Sequence, residues 1–128
     1  AWHWSYLRHG APQLNGRFER LSNRRMQSKD WAAWISIKTI IESILRIQDT
    51  SNSSILKYIK SNSMHLDGSK GIGLNYRKVT NQLRQTILLT SSNNWTTAVA
   101  PLEEFKDSEN NLDTLGITNN QTNCKEEE

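Results

Sequence analysis

The chain has 128 residues, enough for one hydrophobic core and too few for two ordinary domains. Only 35% of it is hydrophobic, and no apolar run approaches the ~20 residues of a membrane-spanning helix. The net charge of +3 hides an asymmetry: residues 1–30 carry six Lys/Arg against two acids, residues 31–90 eight against three, and residues 91–128 two against eight.

The N-terminus, "AWHW", shows neither a basic leader nor an apolar signal core. A start of this kind is expected of a piece of a longer protein whose targeting information lies upstream. From Pro12 to Ser22, Leu14, Phe18 and Leu21 recur at helical spacing, and Pro12 suits a first turn, where its missing N–H is not needed. Gly16 weakens this helix. A polar connector follows, with Ser28 as the expected N-cap of the next helix.

That helix, Lys29 to Gln48, carries the strongest helical signal in the chain. Trp34, Ile37, Ile41, Ile44 and Leu45 form a wide apolar face, broadened by Ile40 and Ile47. Lys38, Glu42 and Arg46 sit four apart on the other side, as charge pairs. The width of the apolar face predicts a central helix, the most buried element of the chain. A shorter helix around Ile55, Tyr58 and Ile59 is predicted after "DTSNSS" and ends near Asn62.

"HLDGSKGIGLNYR" has three glycines in six residues with Lys70 among them. A phosphate-cradling loop needs Gly-Lys-Ser/Thr running into a helix. Here Lys70 precedes Gly71, and the residues that follow alternate like a strand. The sequence therefore reads as a turn at Asp67-Gly68, a bend at Gly71 and extended chain. "QTILLTSS" and "WTTAVAP" are also strand-like, joined at Asn93-Asn94, since asparagine tolerates positive φ; Pro101 ends the last strand. Residues 106–128 read as a polar acidic tail, from which Leu112 and Leu115 could dock on the body formed by residues 1–105.

Several blocks resemble one family in order: "AWHW", "RHGAPQLNGRFERL", "DWAAWISIKTI", "NQLRQTILL", "LDTLGI" and a cysteine near the end. They resemble the C-terminal part of type I periplasmic substrate-binding proteins of ABC importers, in the branched-chain amino acid class. Within that class the resemblance is closest to the branch associated with PQQ-dependent alcohol catabolism. "YRKVTNQ" departs from the branch pattern. The resemblance implies an α+β fragment of an α/β type I binding protein, with three helices followed by a β-hairpin-rich end. It implies a periplasmic, non-enzymatic component that binds a small organic solute between two lobes and delivers it to a membrane permease. It also places "AWHW" near one inter-lobe crossover, residues 87–98 near another, and the start of the long helix at the cleft, where its N–H groups could receive a carboxylate. Trp2, Trp4 and Trp31 are the candidate pocket walls. Burial in the core would explain Trp31 equally, and a shared packing side of an extended segment would explain Trp2 and Trp4.

Other chemistry finds little support. His3, His9, His65 and Cys124 lack zinc-ligand spacing, and no nucleophile elbow accompanies the serines, so neither a catalytic residue nor a cofactor is expected. Cys124 is either a free thiol or the partner of a cysteine further upstream. Asn52, Asn94 and Asn120 head glycosylation acceptor triplets of a kind common by chance in an Asn-rich chain. The alternative function is a small basic interaction or nucleic-acid-binding module. It rests on the basic body alone, since the charges are scattered without an RNA-binding or zinc-finger signature, and no nucleic-acid partner is expected.

Overall fold

The computed structural model describes residues 2–102, 104, 112–116 and 123. It is a small α+β arrangement of three helices followed by two small antiparallel sheets. Expectations that fall on Cys124, Asn120 and the tail boundary at 106 lie outside the described residues.

Helix α1 spans Ala11–Ser22. Its N-cap, Gly10, sits at φ 76, a left-handed conformation that glycine adopts without Cβ strain, and Pro12 lies in the first turn. Helix α2 spans Ser28–Ile47 and α3 spans Asn52–Ile59. The N-cap of α2 is Gln27, whereas the sequence pointed to Ser28. The reason is that the Ser28 hydroxyl is already engaged by the N-terminal segment: it accepts the Trp2 N–H at 2.9 Å and donates to the Trp2 carbonyl at 3.1 Å. Asp30 caps instead, accepting the Gln27 N–H at 2.9 Å.

The orientation of α2 corrects the sequence reading. Its buried residues are Trp31, Ile35, Thr39 and Ser43, a single row at four-residue spacing. Among the described elements α2 contributes the most buried residues, but they are not the predicted ones: Ile37, Ile40, Ile41 and Leu45 are all exposed, so much of its predicted apolar face points away from the body. Two features make the buried row workable. The Thr39 and Ser43 hydroxyls donate to the carbonyls four residues back, at 2.8 and 2.7 Å, so neither is buried without a partner. Small side chains also let the helix approach closely, and the Thr39 and Tyr76 hydroxyls meet at 3.1 Å. The charge pairs form as expected, Lys38–Glu42 at 3.9 Å and Arg46–Glu42 at 3.6 Å.

After α3 the chain is extended and tightly turned. Leu66 and Leu74 form an isolated antiparallel bridge, both buried. Strands β1 (Asn75–Tyr76) and β2 (Leu83–Arg84) make one short hairpin, and β3 (Ile87–Thr90) and β4 (Thr96–Ala100) a second. The β3–β4 register pairs Ile87 with Ala100 and Leu88 with Val99, with an irregularity at Leu89/Thr90. The connecting turn uses Asn94 at φ 63, the role the sequence assigned to the asparagine pair.

The glycine stretch packs against the core. Gly68 is buried, its carbonyl accepts the Trp31 indole N–H at 3.0 Å, and a Cβ there would overlap Leu74 and press on Trp31. The Asp67 carboxylate accepts the Ser69 N–H at 2.8 Å, which closes the turn. Gly71 sits at φ 93 against the His9 ring.

A polar anchor holds residues 112–116. Leu112 is buried, and its carbonyl accepts from Arg77 at 3.0 Å. The Asp113 carboxylate lies between two guanidiniums, 3.4 Å from Arg77 and 2.6 Å from Arg84. Arg77 is itself buried, so removing its counter-charge strands a cation in a poorly solvated place. Asp113→Ala is expected to lower stability by about 1–3 kcal/mol. It should also speed proteolytic cleavage near residue 112, read by mass spectrometry of a timed digest. An unchanged digestion pattern would contradict the anchor.

Candidate functional site

Three regions bear on binding: the tryptophan cluster, a groove between α1 and α2, and a hollow beside β4. In the first, Trp2 and Trp31 stack at 6.0 Å with an interplanar angle of 8°, and Tyr6 meets Trp2 edge-on at 6.5 Å. Both tryptophans are buried, and both indole N–H groups are satisfied, Trp2 by Asn15 at 2.9 Å and Trp31 by Gly68. Lys70 completes the cluster. Its ammonium lies 3.7 Å from the centre of the Trp31 ring and donates to Gln85 Oε1 at 2.6 Å and the Thr86 carbonyl at 3.2 Å. The lysine of the glycine stretch is thus directed into the core.

Trp4 lies apart from this pair. The chain turns at His3–Tyr6, where the Tyr6 N–H reaches the His3 carbonyl, so Trp2 and Trp4 do not share one side of an extended strand. Trp4 instead packs on Trp95 at 5.9 Å, with the Arg25 guanidinium 3.7 Å from its ring centre. Ser5 ties the same segment to β4, accepting the Thr96 N–H at 2.8 Å. The "AWHW" segment and the second hairpin therefore meet, a contact across about 90 residues with no local sequence signal. A hollow of ≈ 460 Å³ lies beside this junction, lined by Tyr6, Arg8 and Thr97 among others. Trp2 and Trp31 share one cluster, Trp4 belongs to another, and none of the three lines the groove described next.

Burial of Lys70 pushes its pKa down to about 7. In the unfolded chain the group keeps its proton to about 10.4. Between those values the unfolded state binds more protons, so stability rises with pH across that window and falls as the pH drops toward 7. The thermal midpoint is expected to climb from about pH 7 to about pH 9.5, and Lys70→Met should flatten the climb. A midpoint in the wild-type chain that falls over this range would contradict the lowering of the Lys70 pKa by burial.

The groove is lined by residues of α1 and α2 and has a volume of ≈ 420 Å³, within the size range of small-molecule sites. Leu14, Phe18 and Leu21 of α1 form one wall; Asp30, Trp34 and Lys38, at four-residue spacing, form the wall from α2. Met26, Asp67 and Ser69 also line it. Arg24 makes two 2.7 Å bonds to the Asp30 carboxylate and holds it well below the usual carboxylate range. The start of α2 is closed by a reciprocal capping box, in which Asp30 accepts the Gln27 N–H and the Gln27 side chain faces the Asp30 N–H. Arg17 also lines the groove and makes no hydrogen bond or ion pair among the described residues.

Sequence reasoning missed Arg17 and Trp34 as groove residues. Trp34 was read as part of the apolar core face, and Arg17 sits one position off the Leu14/Phe18/Leu21 row. Only the tertiary structure brings them to one space. Among the described residues, no group of three or more His, Cys, Asp or Glu side chains could hold a metal ion, and no helix is long and apolar enough to cross a membrane. Compared with known proteins, the chain matches no family model, no curated protein and no solved structure.

Proposed function

We propose that the chain is a solute-binding component and performs no chemistry of its own. The observation that carries this reading is the groove between α1 and α2: concave, largely apolar, lined also by charged side chains, and large enough for a small organic molecule. The ordered sequence blocks support the more specific form of the proposal. In that form the chain is the C-terminal part of a type I periplasmic substrate-binding protein, handing its solute to the permease of an ABC importer, with a link to PQQ-dependent alcohol oxidation. The outward apolar face of α2 is consistent with this form, because such a face calls for a cover. In the complete protein two lobes would close on the solute by hinge motion, and the closed form would dock on the permease.

The test is a titration of the protein with small organic acids, amino acids, alcohols and amines, followed by tryptophan fluorescence. Trp34 in the groove wall supplies the signal. Saturable binding of one class supports the reading, and no response to any class overturns it. Release of the native protein by osmotic shock tests the periplasmic location separately; retention inside shocked cells would count against the importer role.

A further inference from the structure

We propose that the groove selects an amphipathic monocarboxylate, with its carboxylate on Arg17 and Lys38 and its hydrocarbon chain along Leu14, Phe18, Leu21 and Trp34; the proposal rests on the solute-binding reading above. The argument begins with charge. Four ionisable groups stand out around the groove: Arg17, Asp30, Lys38 and Asp67. Asp30 is neutralised by the two-pronged bond from Arg24, which leaves it little attraction for a ligand cation. Asp67 uses one carboxylate oxygen to close its own turn on Ser69.

The two cations are differently placed. Arg17 is exposed and unengaged among the described residues. Lys38 has only a long contact to Glu42, at 3.9 Å, and its ammonium stands 5.3 Å from the centre of the Trp34 ring. A guanidinium with open N–H groups matches a carboxylate, and a flexible ammonium can share the same anion. The balance of available charge favours an anion over a cation.

The apolar part fixes the rest of the ligand. Leu14, Phe18 and Leu21 form a continuous row along α1, and Leu21 is almost fully open to solvent. From Leu14 to Leu21 the row runs roughly 10 Å at the helical rise, the reach of a chain of about eight carbons. A bare anion such as acetate would leave this row in water, and a purely apolar molecule would leave Arg17 without a partner. Only a molecule with both parts uses both features.

The experiment is isothermal titration of the intact chain with octanoate, octylamine, octanol, 2-aminooctanoate and acetate, each below its aggregation concentration. Octanoate is expected to bind most tightly, with acetate at least tenfold weaker. Arg17→Gln with Lys38→Gln, both at exposed or half-exposed sites, should weaken octanoate roughly tenfold or more through loss of charge-assisted bonds. The same change should leave octanol binding unaltered, and matching circular dichroism confirms that the fold is kept. Tighter binding of octylamine or 2-aminooctanoate, or of acetate as tight as octanoate, overturns the ligand class while the solute-binding reading stands. Octanoate binding unchanged by the double substitution overturns the assigned site. No binding by any of the five, nor by any member of the wider panel, overturns both.

Discussion

Replacing Trp31 by alanine is expected to cost about 3–5 kcal/mol of folding stability, the usual range for removing a buried large aromatic side chain. Trp31 is 2% exposed, stacked on Trp2, bonded to the Gly68 carbonyl and covered by the Lys70 ammonium. Its loss opens a cavity next to the buried Lys70 amine and removes the donor that the Gly68 carbonyl uses. A small domain holds only about 5–15 kcal/mol in total, so the variant should be close to half-unfolded in mild urea. Urea titration followed by far-ultraviolet circular dichroism measures the change. Trp4→Ala is the contrast: its ring is half-buried and rests on Trp95 and Arg25, so about 1 kcal/mol or less is expected. Equal effects of the two substitutions would contradict the placement of Trp31 at the centre of the core. The comparison also separates a structural role from a binding one, because a pocket wall could be truncated without unfolding the chain.

The second large effect concerns the outward face of α2. Ile37, Ile40, Ile41 and Leu45 are 60%, 45%, 51% and 67% exposed, and Leu56 of α3 is open as well. Together they present on the order of 400 Å² of apolar surface, within the range of the largest patches on monomeric proteins. One side of a standard stable interface buries roughly twice that, so the expected self-association is weak and rises with concentration. Light scattering coupled to gel filtration should show the apparent mass increasing as the protein is loaded more heavily. Ile37→Gln, Ile41→Gln and Leu45→Gln combined should hold the mass at that of one chain. Glutamine forms helix well, so the helical signal should not fall. A wild-type chain that stays monomeric at every concentration would show that this face is not sticky. The same face predicts a modest thermal midpoint, and a cooperative monomeric melt above about 60 °C would contradict it.

Much of the local architecture was legible in the residues. Pro12, the Leu14/Phe18/Leu21 spacing and the long apolar periodicity placed α1 and α2 to within a residue or two of their observed ends. The asparagine pair marked the β3–β4 turn, and the order of Lys70 and Gly71 already argued against a phosphate loop. Leu112 docks on the body from the segment where docking was expected. These features are set by neighbours a few residues apart: backbone conformational preference, capping and side-chain periodicity. The groove was much less legible, because its walls come from two helices and a turn.

What the sequence determined by itself, then, is where the three helices and the β3–β4 hairpin form and that the chain is α+β; the β1–β2 hairpin was not legible in it. What only the tertiary structure decided is which face each element turns inward. The hydrophobic period of α2 defines an apolar stripe but says nothing of what will cover it. In the folded chain that helix is oriented by Trp31, which fits between Trp2 and the Gly68–Leu74 turn. Once Trp31 is seated, the row one, two and three turns further on, Ile35, Thr39 and Ser43, must follow it inward, and Ile37, Ile40 and Ile41 are carried outward. The same holds for Lys70 against Gln85 and Thr86, and for Arg77 and Arg84 around Asp113. Each of these contacts joins residues about 15 to 36 positions apart, and no local pattern encodes them, because a side chain's charge or size does not specify which distant group will stand opposite it.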